Sequence, residues 1–315
     1  MSVPIRVIRG HMYGFLSASA SALSATSAVA IWSGEYRQSF PRLPARSSTD
    51  IIRAVTSRIG TENPNPSAAA AGFDISRFNQ AYDKVVIGNH FFEAPSYYQE
   101  QRIRYRRTMQ HIAQLALPAG SKVLDVGGGQ IALLCHEMFG HDGIVADVNR
   151  QYADAATDLG LRFVECDLLH DDLPDRDEFD LVALCEVVEH LTIPPYIVLE
   201  RVKRWIKPGG ILLITTPNLY RIRNTLRFLT GRRVFCPFFY PERGQPIGHP
   251  LEYYPEHLKW QLEKAGFKTK YIVRQQLVNV GASPAAKVAR FLIAPLLLVP
   301  LWRDSMVAIA QRPVV

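Results

Sequence analysis

The sequence predicts an α/β fold built on a parallel, doubly wound sheet, and three observations carry that prediction. A short apolar run, Val123-Leu124-Asp125-Val126, breaks into Gly127-Gly128-Gly129 and leads at once into a helix-patterned segment. That is how a buried strand turns tightly into a helix. Four further apolar runs follow at 143–147, 161–166, 179–185 and 211–215, with helix-patterned or turn segments between them. The run 179–185 is apolar at nearly every position, as a strand covered on both faces must be. Alternating strands and helices with right-handed crossovers close the argument.

Taken in order, residues 1–72 stand apart. Arg6 and Arg9 precede the first acid, Glu35, and serine and alanine alternate over 17–30 up to Ala28-Val29-Ala30. This reads as a disordered leader or a targeting-like segment, outside the fold. The expected domain is 73–315. Ser96 caps a helix over 97–117, where Ile103, Met109, Ile112 and Leu115 recur at rough helical spacing until Pro118-Ala119-Gly120 stops it. The opening strand at 122–126 precedes a helix at 131–139 and a second strand ending in Asp147. A helix at 149–159 is closed by Gly160. Strands at 161–166 and 179–185, a helix at 195–206, a turn at Lys207-Pro208-Gly209-Gly210 and a strand at 211–215 complete the regular part. Beyond it lie helices at 218–229 and 256–265 and strands at 267–273 and 305–310. Stretches 218–260 and 275–303 are expected to cover the substrate side. The apolar run 291–302 is too short to span a bilayer.

The chain is basic, with net charge +7 and pI about 9.3. Arg201, Lys203, Arg204, Lys207, Arg221, Arg223, Arg227, Arg232, Arg233 and Arg243 fall in one stretch where only Glu200 and Glu242 oppose them. Such a stretch is either a solvated face or a surface for phosphate, a membrane or nucleic acid. Cys135, Cys166, Cys185 and Cys236 form no C-x-x-C pair. That argues against a zinc site or a disulfide framework and for a reducing, cytoplasmic setting. No metal site is expected.

The glycine turn admits two kinds of nucleotide ligand. Gly127-Gly128-Gly129-Gln130-Ile131-Ala132 fits G-x-G-x-x-G/A, with Asp147 near the offset of a ribose-binding acid. Asp125, two residues before Gly127, opposes the negative charge of a pyrophosphate and favours a ligand with a cationic end.

At these residues the chain resembles the class I S-adenosylmethionine-dependent methyltransferases. Asp125-Val126-Gly127-Gly128-Gly129 matches that family's glycine motif, although Ile131 stands where a third glycine is usual. Glu186-Val187-Val188-Glu189-His190-Leu191 after the fourth strand, Lys207-Pro208-Gly209-Gly210, and His249-Pro250-Leu251-Glu252-Tyr253-Tyr254 are similar to the small-molecule, ubiquinone-pathway-like O-methyltransferase branch. The resemblance implies a Rossmann-like, seven-stranded, mostly parallel sheet with an antiparallel last strand. It implies S-adenosylmethionine as cofactor, held by the turn Gly127, Gly128 and Gly129 with Asp125. It places Asp147, with Val148 beside it, on the ribose. Asp167 and Leu168 fall near the adenine, and Glu186 near the methionine end.

His190 and His249 are the candidate bases, because methyl transfer to a hydroxyl releases a proton and histidine titrates near working pH. The expected reaction is transfer to a hydroxyl oxygen of a small molecule, anionic or lipid-linked, with peripheral membrane contact open. Nucleic-acid methylation is disfavoured, since Cys185-Glu186-Val187-Val188 stands where base-amino methylators carry Asn/Asp-Pro-Pro-Tyr/Phe. A non-catalytic cofactor-binding protein and a dehydrogenase are the remaining alternatives.

Overall fold

The computed structural model describes residues 73–89, 95–150, 152–245, 247–277 and 294–314. The expected leader, residues 278–293 of the expected cover and the first three residues of the apolar run lie outside them. In chain order the elements are α1 (Ile75–Tyr82), α2 (Pro95–Gln114), β1 (Lys122–Val126), α3 (Gln130–Phe139), β2 (Asp142–Asp147), α4 (Tyr152–Asp158), β3 (Arg162–Glu165) and β4 (Phe179–Cys185). They continue with α5 (Pro195–Trp205), β5 (Ile206–Pro217), α6 (Ile222–Leu229), α7 (Pro255–Lys264), β6 (Lys268–Gln275) and β7 (Ser305–Gln311).

The seven strands form one sheet in the order β3-β2-β1-β4-β5-β7-β6. β1 through β5 pair in parallel, while β7 runs antiparallel to both β5 and β6. This is the expected Rossmann-like sheet. β1 pairs with β2 on one side and β4 on the other, so the chain reverses direction across the sheet there. Open α/β sheets bind ligands at the carboxyl edge of such a switch point.

Side-chain alternation along β1 sorts the core. Leu124 and Val126 join the cluster under α5 and α7, whereas Val123 joins the one under α1, α2 and α3. Ile131 lies in that second cluster at 2% exposure, so the residue replacing the family's third glycine is a core side chain. Fully buried aliphatics of this kind contribute about 1.5–3 kcal/mol each.

Three element boundaries differ from expectation for identifiable reasons. The helix predicted to reach residue 117 ends at Gln114, because Ala116 takes a left-handed φ of 48°. Lys207-Pro208-Gly209-Gly210 is a bulge inside β5 rather than a turn before it. The register against β4 slips between Phe179 and Leu181, and Gly209 adopts φ 82°. α1 was not foreseen. It buries Phe78, Ala81 and Tyr82 against the sheet-covering helices, and Asp74 caps it through the Arg77 amide.

Candidate active site

The site assembles at the carboxyl edge of β1, β2 and β4. Gly127 (φ 83°) and Gly129 (φ 117°) make the turn, and both conformations disfavour side chains. A Cβ at Gly127 would stand 2.7 Å from Val187 Cγ2, and one at Gly129 would stand 2.8 Å from Val145 Cγ1. Of the three glycines, Gly127 is exposed at the edge, while Gly128 and Gly129 are buried.

Asp125 shares its face of β1 with Val123, and that face looks onto α3. Its Oδ2 accepts hydrogen bonds from the amides of Ile131 (2.8 Å) and Ala132 (3.3 Å). The carboxylate therefore caps α3 from within the strand and fixes the shape of the turn. Burial pushes its pKa up to about 6 against the opposing pull of those amides.

Asp147 ends β2 at 8% exposure, and its Oδ1 accepts from the Asn149 amide at 2.7 Å. Burial raises its pKa to about 6, opposed by that one amide. No cation pairs with it among the described residues. Val148, next along, is 40% exposed.

Asp167 is more heavily engaged. Its Oδ1 accepts from the Leu169 amide (2.9 Å), while Oδ2 meets His170 Nδ1 (3.0 Å) and the Gly244 amide (3.3 Å). Burial opposes ionisation, yet His170 and the amides outweigh it and hold the carboxyl below its usual range. Leu168 is buried beside it. The segment bearing Gly244 is strapped over this edge by the forked pair of Arg243 with Asp171 (2.6 and 2.7 Å).

At the end of β4, Glu186 adopts a left-handed φ of 58°, a strained conformation for a residue with a side chain. Its Oε1 accepts from Thr215 Oγ1 at 2.9 Å, and Oε2 lies 3.6 Å from Arg104 Nη2. Arg104 comes from α2. Burial disfavours its charge, but Glu186 and its neighbours outweigh that and keep it protonated. Its Nε is buried without a partner. Its approach to Glu186 is a product of the tertiary fold and has no signature in the sequence.

The two histidines come together. Their rings meet edge to face with centroids 4.7 Å apart. His190 Nδ1 lies 2.7 Å from the Ile247 carbonyl and 3.0 Å from that of Gly248. Carbonyls only accept, so Nδ1 carries the proton and Nε2 keeps the lone pair. Burial, with His249 nearby, lowers its pKa below the usual histidine value. His249 Nδ1 lies 3.2 Å from Glu252 Oε1. Glu252 also binds Arg221 and takes a 2.6 Å hydrogen bond from Asn224 Nδ2. Burial alone would raise the Glu252 pKa, but His249, Arg221 and Asn224 hold it low. Glu189 is fully buried, bonded through Oε2 to Thr216 Oγ1 (2.9 Å), with Oε1 unpartnered. Burial, reinforced by Glu186, drives its pKa well up. Glu189, His190 and His249 each bring a donor atom within 4.8 Å of the others, a grouping with no signature in the sequence spacing.

Acids from elsewhere in the chain neutralise part of the basic stretch. Arg204 pairs with Asp172, Lys207 with Asp180, Arg221 with Glu252 and Arg243 with Asp171. Arg201 binds the carbonyls of Asp171 and Leu168.

Comparison with known proteins agrees with this geometry. The mitochondrial ubiquinone biosynthesis O-methyltransferase of Candida albicans is 31% identical over 107 residues, which is 33% of this chain and 30% of that protein's length. The fold is shared with a candidate sarcosine dimethylglycine methyltransferase from Galdieria sulphuraria (TM-score 0.50, 12% identity, 75% of this chain and 98% of that one). A methyltransferase structure from Methanosarcina mazei matches with TM-score 0.47 at 19% identity over 65% of this chain and 98% of that one. The methyltransferase domain family model matches residues 98–271, more than half of the chain. The chain therefore belongs to the methyltransferase domain family, among the class I S-adenosylmethionine-dependent enzymes.

Proposed function

We propose that the protein transfers a methyl group to a hydroxyl oxygen of a small-molecule acceptor. One observation carries this reading: the His190 and His249 pair at the carboxyl edge, with the proton of His190 committed to two backbone carbonyls through Nδ1. A neutral imidazole with its free lone pair on Nε2 is a general base, and its lowered pKa keeps it neutral at physiological pH. The O-methyl activity in the name of the Candida albicans relative is consistent with it.

The residues present fit the cofactor. The exposed backbone of Gly127 lets a ligand approach the turn, whose shape requires glycine at 127 and 129 because a Cβ would meet Val187 or Val145. Asp147, ending β2 with no paired cation among the described residues, suits a ribose diol. Of the pair at the end of β4, the Arg104 guanidinium suits the carboxylate of an amino-acid end and the Glu186 carboxylate suits its ammonium. S-Adenosylmethionine, when bound, supplies a methyl carbon on a sulfonium that is electrophilic without further activation. The chain's own task is then to position the acceptor and remove its proton. His190 Nε2 would accept the proton that the acceptor hydroxyl releases as its oxygen takes the methyl group, the carbon–sulfur bond breaking with its electron pair left on the then neutral sulfur. His249, oriented by Glu252, lines the same edge. Positioning supplies much of the rate in such a displacement.

The test is product identification. The enzyme is incubated with methyl-labelled cofactor and a small-molecule extract, and the labelled product is characterised. A methyl ether is the expected outcome; label on nitrogen or carbon would refute the proposal.

A further inference from the structure

α6 is amphipathic in the reverse sense. A surface helix ordinarily turns its apolar stripe toward the core. Here the one buried residue is the polar Asn224, held by Glu252 Oε2 (2.6 Å) and the Leu219 carbonyl (3.1 Å). Ile222, Leu226 and Leu229 recur at i, i+4 and i+7, on the side opposite Asn224. Leu226 is 50% and Leu229 is 78% exposed. Phe238, farther along the same connection, is 70% exposed. Arg227, on the flank of the helix, and Arg232 and Arg233, just past it, pair with no acid among the described residues. Arg204, Lys207, Arg221, Arg223 and Arg243 of the same stretch are neutralised by acids.

The position of this helix matters as much as its composition. Asn218, at the carboxyl end of β5, donates to the carbonyls of Leu301 and Arg303 at 2.8 Å each. α6 and the segment carrying Leu298, itself 78% exposed, therefore leave the same edge of the sheet that bears the glycine turn and the histidines. Among the described residues no helix is long and apolar enough to cross a membrane.

We propose that this face docks on the surface of an anionic phospholipid bilayer. The leucines and Phe238 enter the headgroup–acyl boundary while the unpaired arginines meet lipid phosphates. Charge complementarity selects this occupant over a second copy of the chain, whose same face would bring like charges together. The docked orientation turns the reactive edge toward the bilayer, so an acceptor dissolved in lipid reaches it without crossing water.

Flotation of the full-length protein with phosphatidylcholine vesicles, with or without phosphatidylserine, tests the proposal. Binding is expected only with phosphatidylserine and should weaken as salt rises. Leu226→Glu with Leu229→Glu should abolish flotation at unchanged circular dichroism, and Arg227→Gln should lower the partition coefficient about fivefold. If the leucine pair perturbs folding, Phe238→Ser supplies the same comparison. Absence of flotation with anionic vesicles, or equal flotation of correctly folded variants, would overturn the proposal. So would a wild-type dimer in lipid-free sedimentation that becomes monomeric in the leucine variant, because the face would then be an interface between copies.

Discussion

Replacing Asp147 with asparagine separates what this residue does for the ligand from what it does to the fold. The wild-type carboxyl is 8% exposed, and burial raises its pKa from 3.8 to about 6. The folded state thus binds its proton more tightly than the unfolded chain does. The associated stability is fully present below about pH 3.8 and is lost as pH rises through about 6. Above that range the folded protein carries the whole cost of the buried charge, roughly 3 kcal/mol at about 1.36 kcal/mol per pH unit. The side-chain amide of the variant has no charge to desolvate, and its carbonyl oxygen can still accept from the Asn149 backbone. Denaturant unfolding should therefore show Asp147→Asn near wild type at about pH 4 and more stable by up to roughly 3 kcal/mol at about pH 7.5. Ligand binding should move the other way. An ionised acceptor contributes about 1.5–3 kcal/mol per hydrogen bond, so the variant should bind S-adenosylhomocysteine at least tenfold more weakly by calorimetry. Unchanged affinity would refute the ribose assignment. A stability difference that does not grow between the two pH values would refute the account of the buried charge.

Four further expectations follow from the same geometry. His190→Ala and His249→Ala should lower turnover while leaving S-adenosylhomocysteine affinity intact; near-wild-type turnover in both would remove them as bases. Because burial lowers the His190 pKa and the neutral ring is the base, activity should fall only as pH drops below the usual histidine range, and kcat/KM against pH would show it. Arg104→Gln should weaken cofactor binding about tenfold or more through loss of a charged hydrogen-bond donor, read by calorimetry. Gly129→Ala should destabilise the fold by more than ~1 kcal/mol in thermal unfolding, because φ 117° and Val145 both oppose a side chain.

The elements most legible in the sequence were those whose physics is local. The strand–glycine–helix unit, the nearly all-apolar β4 and the alternation of strands and helices each depend on neighbours within a few residues, and each stands where expected. The Lys207-Pro208-Gly209-Gly210 bulge did not read correctly, because glycine and proline signal a break equally well in a turn or in a strand that slips register against its partner. Arg104 meeting Glu186, and Glu189 with the two histidines, depend on contacts that no spacing rule encodes.

Asp125 shows how a sound local inference can need a tertiary qualification. Its position before the glycines correctly argued against a pyrophosphate, on the ground that a free charge would face the ligand. The alternation of β1 puts its side chain on the Val123 face, where α3 begins, and there the carboxylate holds two amides. The acid still biases the turn, but by fixing its shape. The basic stretch is the converse case. Counted along the chain it was nearly unopposed, yet folding delivers Asp171, Asp172, Asp180 and Glu252 to Arg204, Lys207, Arg221, Arg223 and Arg243. Of the charge that remains, Arg227, Arg232 and Arg233 gather at the end of α6, near leucines that the core does not cover. It is this residue-level subtraction, rather than the net charge of +7, that localises a surface for an anionic partner.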